Sequence, residues 1–131
     1  MYSIGAMSAF CQSKADYLYL QVPLFSFSAI LESIHPNIFL RQLNAGHTHL
    51  YTKYSIEYIC KKLNLDVVGE WWFGADMVDL FRHFTIKASI NPETQSKILS
   101  ETLGCHIDGL QSVLDSKNIC SGINMVIRKA R

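Results

Sequence analysis

The chain has 131 residues, 49% of them hydrophobic and 18% charged, and carries a net charge of +1 with its histidines neutral. That length suits one ordinary domain, and that composition can bury a core and excludes extensive disorder. The near-neutral balance gives no pull toward nucleic acid or an anionic membrane, so neither is an expected partner.

The longest nearly apolar stretch, Val22 to Leu31, is too short to span a bilayer and contains Ser26 and Ser28. The first residues lack the basic start and long apolar run of a signal peptide, so a cytoplasmic location is expected. Cys11, Cys60, Cys105 and Cys120 are widely and irregularly spaced and form no CxxC pair. In a reducing compartment such thiols act as small apolar groups, and a zinc site needs a closer ligand pattern than His47, His49, Cys105 and His106 offer.

Residues 1 to 16 show no firm pattern, and Gly5 weakens any helix there. In "DYLYLQVPLF" both alternating faces are largely apolar, which predicts a strand covered on both sides and ended by Pro23. A short helix is expected over Ser28 to Ile34, stopped near Pro36. The run from there to Gly46 reads as a long loop with helical turns, and loops of that length are uncommon unless functional.

"HTHLYTKYSIEYICKKLNL" gives a clearer signal. Thr52 or Ser55 can cap a helix whose apolar stripe is Ile56, Ile59, Cys60 and Leu63. Lys61 and Lys62 complement the helix dipole, and Asn64 can close the helix in a left-handed conformation. A strand follows over Asp66 to Trp72. After Gly74, Met77, Leu80, Phe81 and Phe84 repeat at helical spacing. Asn91 as N-cap and Pro92 at the first position open another helix, with Leu99, Leu103, Ile107, Leu110 and Leu114 on its buried face. Gly104 and Gly109 are placed to bend or split it. "GINMVIRKA" alternates Ile123, Met125 and Ile127 as a terminal strand. The order defines an α/β chain. Three strands make a thin sheet, and nothing upstream is available to cover the other edge of the first.

The segments "YLYLQVPLFS", "GHTHLYTKYSIEYICKKLNLDVVGEWWFGADMVDLFR" and "LQSVLD…INMVIRK" resemble the C-terminal half of a bacterial class I S-adenosylmethionine-dependent methyltransferase, across residues 16 to 129. The resemblance implies one partial Rossmann-like methyltransferase domain over 1–131. Residues 17 to 23 would be the fifth strand, 66 to 72 the sixth, and 122 to 128 the seventh, antiparallel and inserted between them. The helices from Asn91 to Ser116 would be an insertion. Two family features are absent from these 131 residues: the glycine-rich turn that holds the cofactor, and the acid that binds its ribose. The chain is thus expected to carry the substrate side without the amino-terminal cofactor-binding half, as a truncated product or one piece of a split enzyme. Alone it is expected to show negligible methyl transfer and weak or no S-adenosylmethionine binding. The implied acceptor is a small or sugar-type molecule. The alternative is a non-catalytic α/β module that pairs as a homodimer through its open strand edge.

By resemblance, His47 or His49 would act as general base toward the acceptor, with Tyr51 orienting it. The plainer reading is that a histidine braces the loop. Two residues apart on an extended segment, the two rings point opposite ways and do not share one ligand. Pro23 and Phe25, beyond a strand's carboxyl end, would wall a substrate pocket, or else belong to core and turn. Trp72, Phe73, Asp76 and Arg82 would sit at its rim. Local chemistry accounts for most of that stretch: Trp71 and Trp72 alternate across the sheet, Gly74 turns the chain, Asp76 caps a helix, and Asp79 pairs with Arg82 at the surface.

Overall fold

The computed structural model describes residues 3–38, 40–43, 47–88 and 92–130. The elements run α1 Ser3–Gln12, β1 Tyr17–Pro23, α2 Phe27–Ile34, α3 Lys53–Lys62, β2 Leu65–Trp72, α4 Asp76–Ala88, α5 Pro92–Thr102, a 3-10 turn Gly104–His106, α6 Ile107–Ser116 and β3 Gly122–Lys129. The expected N-cap Asn91 and the turn at Gly46 lie outside the described residues.

The chain is mixed α/β, and its strands form one antiparallel sheet in the order β1–β3–β2, with β3 antiparallel to both neighbours. β1 and β2 therefore run parallel to each other, and their carboxyl ends meet the amino end of β3 at one edge of the sheet. There Leu24 N donates to Ser121 O at 2.9 Å and Phe73 N to Gly122 O at 3.1 Å.

One face of the sheet is the core. Val22, Ile123, Met125 and Ile127 are buried against Met7 and Phe10 of α1 and Ile56 and Cys60 of α3, with Leu18 and Leu20 packed beside them. Full burial of an isoleucine or methionine side chain contributes about 1.5–3 kcal/mol, so β3 with α1 and α3 carries most of the hydrophobic stabilisation. α1 forms despite Gly5 because Met7 and Phe10, three apart, reach that core: tertiary burial overrides a weak local propensity. α3 follows its sequence signals. Ser55 N donates to Thr52 Oγ1 at 3.1 Å and Thr52 N to Ser55 Oγ at 2.8 Å, a reciprocal cap. Asn64 sits at φ 53° and ends the helix.

The other face corrects the expectation of a strand covered on both sides. Tyr17, Tyr19 and Trp71 are exposed there, and Tyr19 and Trp71 stack with ring centroids 5.7 Å apart. The Tyr19 hydroxyl donates to Asn124 Oδ1 at 2.7 Å, so phenol and indole together shelter a polar side chain. Because Leu24 N bonds to β3, the N–H and C=O groups of Tyr17, Tyr19 and Gln21 point away from the sheet.

α4 also departs from expectation. Its buried positions are Asp76, Asp79 and His83, and Phe84, expected on the inner stripe, is 46% exposed. The helix turns its polar stripe inward because the surface it meets carries Ser26, Ser28 and Arg41. The predicted long helix splits into α5 and α6 at Gly104, where an added Cβ would lie 3.4 Å from Ser100 Oγ. Leu99, Leu103, Ile107 and Leu114 are only half buried, and Leu110 is exposed. Among the described residues no helix is long and apolar enough to cross a membrane.

Candidate functional site

The carboxyl ends of β1 and β2 open into a cleft of about 330 Å³, bounded by Pro23, Arg41, Gln42, His47, Phe73 and Ser121 among others. Crevices beyond the carboxyl ends of strands are the usual binding places of open α/β sheets. Ser121 joins this cleft to a buried polar cluster centred on Asp76, which is 0% exposed. Its Oδ1 accepts from Ser26 Oγ (2.6 Å), Ser28 N (3.1 Å) and Ser28 Oγ (3.0 Å), and its Oδ2 from Ser121 N (2.7 Å). One carboxylate thus ties together the turn after β1, the start of α4 and the approach to β3. Burial opposes its ionisation, but the donors from Ser26, Ser28 and Ser121 outweigh that and hold its carboxyl below the usual range.

Asp79, one turn along α4, accepts from Ser28 Oγ at 2.7 Å and from the Arg41 guanidinium at 2.6 Å. Arg82 stands farther off, at 3.7 Å. The expected surface pair Asp79–Arg82 is therefore a minor part of a buried cluster whose chief cation comes from the loop. Asp76 is not a cap for its own helix either. The first turn of α4 is served from α6, where Gln111 Oε1 accepts from Met77 N at 2.9 Å. Asp76 reaches instead to the facing serines, since it lies within the helix and not before it.

Two acyl-type side chains set the loop above the cluster. Glu32 of α2 accepts from Gln42 N through both oxygens (2.8 and 2.9 Å) and from Leu43 N (2.8 Å). Gln42 Nε2 donates to Ser121 O at 3.2 Å. Arg41 also donates through Nη2 to Ser121 Oγ at 3.2 Å, and Ser121 Oγ accepts from Ala75 N at 3.1 Å.

The residues expected to meet a substrate fall into two groups. Pro23, His47 and Phe73 line the polar cleft. Phe25, Tyr51 and Trp72 line a separate apolar groove of about 450 Å³, with Phe27, Ile30, Ile119 and Cys120. Burial pushes the Cys120 thiol up to about 12, so it serves there as an apolar group. His49 is exposed. Its ring stacks on Tyr51, centroids 6.3 Å apart, and its Nδ1 lies 2.9 Å from Thr48 Oγ1. The two histidines thus serve different places. Arg82 lies on α4 and is not among the residues lining either opening, and Asp76, buried, bonds to Ser121 of the polar one. Arg41, Gln42, Ser26, Ser28 and Ser121 were not picked out from sequence. The one signal pointing to Arg41 and Gln42 was the unusual length of the loop that carries them.

The two glycines lining the cleft, Gly74 and Gly122, are held in tight packing. A Cβ on Gly74 would come within 2.7 Å of Ser121 N and 2.8 Å of Cys120 Cβ, and one on Gly122 within 2.8 Å of Phe73 O. Both are needed so that the end of β2 and the start of β3 can touch. The helix starts at this edge are also occupied, α2 by Asp76 and α4 by Gln111. Among the described residues no group of three or more His, Cys, Asp and Glu is arranged to hold a metal ion. Comparison of the chain with protein-family models, curated proteins and solved structures finds no match.

Proposed function

We propose that this chain is the substrate-side portion of an S-adenosylmethionine-dependent methyltransferase with a Rossmann-like sheet, acting on a small or sugar-type acceptor. The observation that carries this reading is the sheet itself. β3 lies antiparallel between two parallel strands, the arrangement implied for the fifth, seventh and sixth strands of that fold, and a polar cleft opens at their carboxyl ends. The motif resemblance over residues 16 to 129 supports it. His47, at the cleft, is the candidate base, and His49 is not. The cofactor is held by a glycine-rich segment that is not among these residues.

Translation of the reading frame upstream of Met1 tests this. A glycine-rich GxGxG turn in frame is expected, and the joined polypeptide should transfer labelled methyl from S-adenosylmethionine to a hydroxylated acceptor. Transfer should fall at least about 100-fold in His47→Ala. If no such segment is encoded in frame or supplied by a partner polypeptide, the proposal fails.

The exposed Tyr17–Tyr19–Trp71 face and the outward backbone groups of β1 favour a second reading, a non-catalytic module that pairs through this edge as a homodimer. A concentration series in gel filtration separates the two. A stable soluble dimer supports pairing, and association without a defined size supports a sheet made to be covered by other sequence.

A further inference from the structure

The polar cleft and the apolar groove are separate openings, and no residue lines both. The cleft takes Pro23 and Phe73, and the groove takes their chain neighbours Leu24 and Trp72. Residues that follow one another at the end of a strand point to opposite faces, which keeps the two openings apart.

At about 450 Å³ the groove falls within the range of small-molecule sites, about 300–1,000 Å³. Of its lining residues, Leu24, Tyr51 and Cys120 are buried. Five lining side chains are aromatic: Phe25, Phe27, Tyr51, Tyr54 and Trp72. Phe25 is 59% exposed and Tyr54 is 80% exposed. Single exposed aromatic residues are ordinary, but several around one concavity mark a binding surface. Among the described residues, Phe25, Phe27, Tyr54 and Trp72 pair with no other ring, so the exposed rings of Phe25 and Tyr54 are open to one from outside.

The charges point to an acid. Among the described residues lining the groove, the one that carries a charge is Lys53, and no carboxylate lines the groove to offset it. Lys53 is exposed, and its ammonium makes no ion pair or hydrogen bond among the described residues. Its flexible four-carbon stem lets the ammonium follow an anion bound at the mouth.

We propose that the apolar groove binds an aromatic carboxylic acid of one or two fused rings, with its ring against Phe25, Phe27 and Tyr54 and its carboxylate on Lys53. An acyl chain is the weaker fit. Leu24, Ile30 and Ile119 hold chain or ring alike, but aromatic faces and edges attract another ring beyond the area it buries. The proposal is independent of the methyltransferase reading, which places its chemistry in the polar cleft, and its test uses no cofactor.

The test is titration of the 131-residue chain with naphthoate, followed by amide chemical shifts. The comparison probes are naphthol, uncharged at neutral pH, and octanoate, which has the charge without the ring. Naphthoate should saturate the chain below millimolar and bind about threefold or more tighter than either, because each comparison probe lacks one contact. Shifts should centre on Phe25, Phe27, Lys53, Tyr54 and Ile119. Lys53→Gln should bring naphthoate down to the affinity of naphthol and leave naphthol unchanged. Tyr54→Ala should weaken both ring compounds about threefold or more. Both substitutions fall at exposed positions, so a loss reports binding and not unfolding. Equal affinity for octanoate and naphthoate overturns the proposal in favour of an acyl chain. No saturable binding at millimolar probe, shifts confined to the polar cleft, or a naphthoate affinity untouched by Lys53→Gln also overturns it. So do groove amides that shift with chain concentration before any probe is added, which would show a second copy covering the groove.

Discussion

Helices α3 and α4 both carry apolar residues at helical spacing, and the molecule buries them by opposite rules. α3 turns Ile56 and Cys60 into the core beneath the sheet. α4 turns Asp76, Asp79 and His83 inward and leaves Phe84 exposed. The difference lies in the surface each helix meets. α3 lies on β2 beside the isoleucines and methionine of β3. α4 meets two serines, an arginine and backbone N–H groups that need acceptors. A buried donor without a partner costs about 1–3 kcal/mol, so a carboxylate that satisfies several at once outweighs burial of one phenylalanine.

Breaking the polar joint should have the largest effect. Asp76→Ala strands donors from Ser26, Ser28 and Ser121 and should destabilise the chain by about 4 kcal/mol in urea unfolding. Ile56→Ala, the matching change under α3, should cost about 3 kcal/mol through lost burial and a cavity. If the isoleucine change proves much the more damaging, the polar joint is not the anchor of this edge.

Acidification sharpens the same contrast. The carboxyl of Asp76 is held below its ordinary value, so the unfolded chain binds the extra proton first as pH falls. Its contribution is fully present above about pH 4 and is lost as pH drops through the lowered folded value. The stability difference between the wild type and Asp76→Asn should therefore be constant from neutral pH to about pH 4 and shrink below it. The two smallest effects are local. Thr52→Ala removes the cap of α3 and should cost about 1 kcal/mol. Arg82→Ala should cost less than about 1 kcal/mol, because Arg41 and not Arg82 holds Asp79.

Regions governed by apolar alternation or local capping were legible in the sequence. β3 was read from Ile123, Met125 and Ile127, α3 from its stripe and from Thr52, and the left-handed turn from Asn64. The strand order followed from the resemblance. The polar joint was not legible, because its bonds join residues far apart in sequence: Asp76 to Ser26 and Ser28, Arg41 to Asp79, Gln42 to Ser121. Nothing in the local pattern of "GADMVDLFRHF" announces that its aspartates are buried and Phe84 is exposed. Trp71 and Trp72 were placed on opposite faces, and Trp71 stacks on Tyr19 on the face of β1 that was expected to be covered and is open. For the candidate site, the loop was visible as a long loop, and Arg41 and Gln42 on it were not picked out.

The most direct measurement is calorimetric titration of the chain with S-adenosylmethionine. No heat of binding at sub-millimolar ligand is predicted, because the glycines and helix starts at the cleft are already engaged by the protein's own groups. Clear one-to-one binding would show that these residues build a complete cofactor site, and the account of this chain as the substrate side of a divided fold would be wrong.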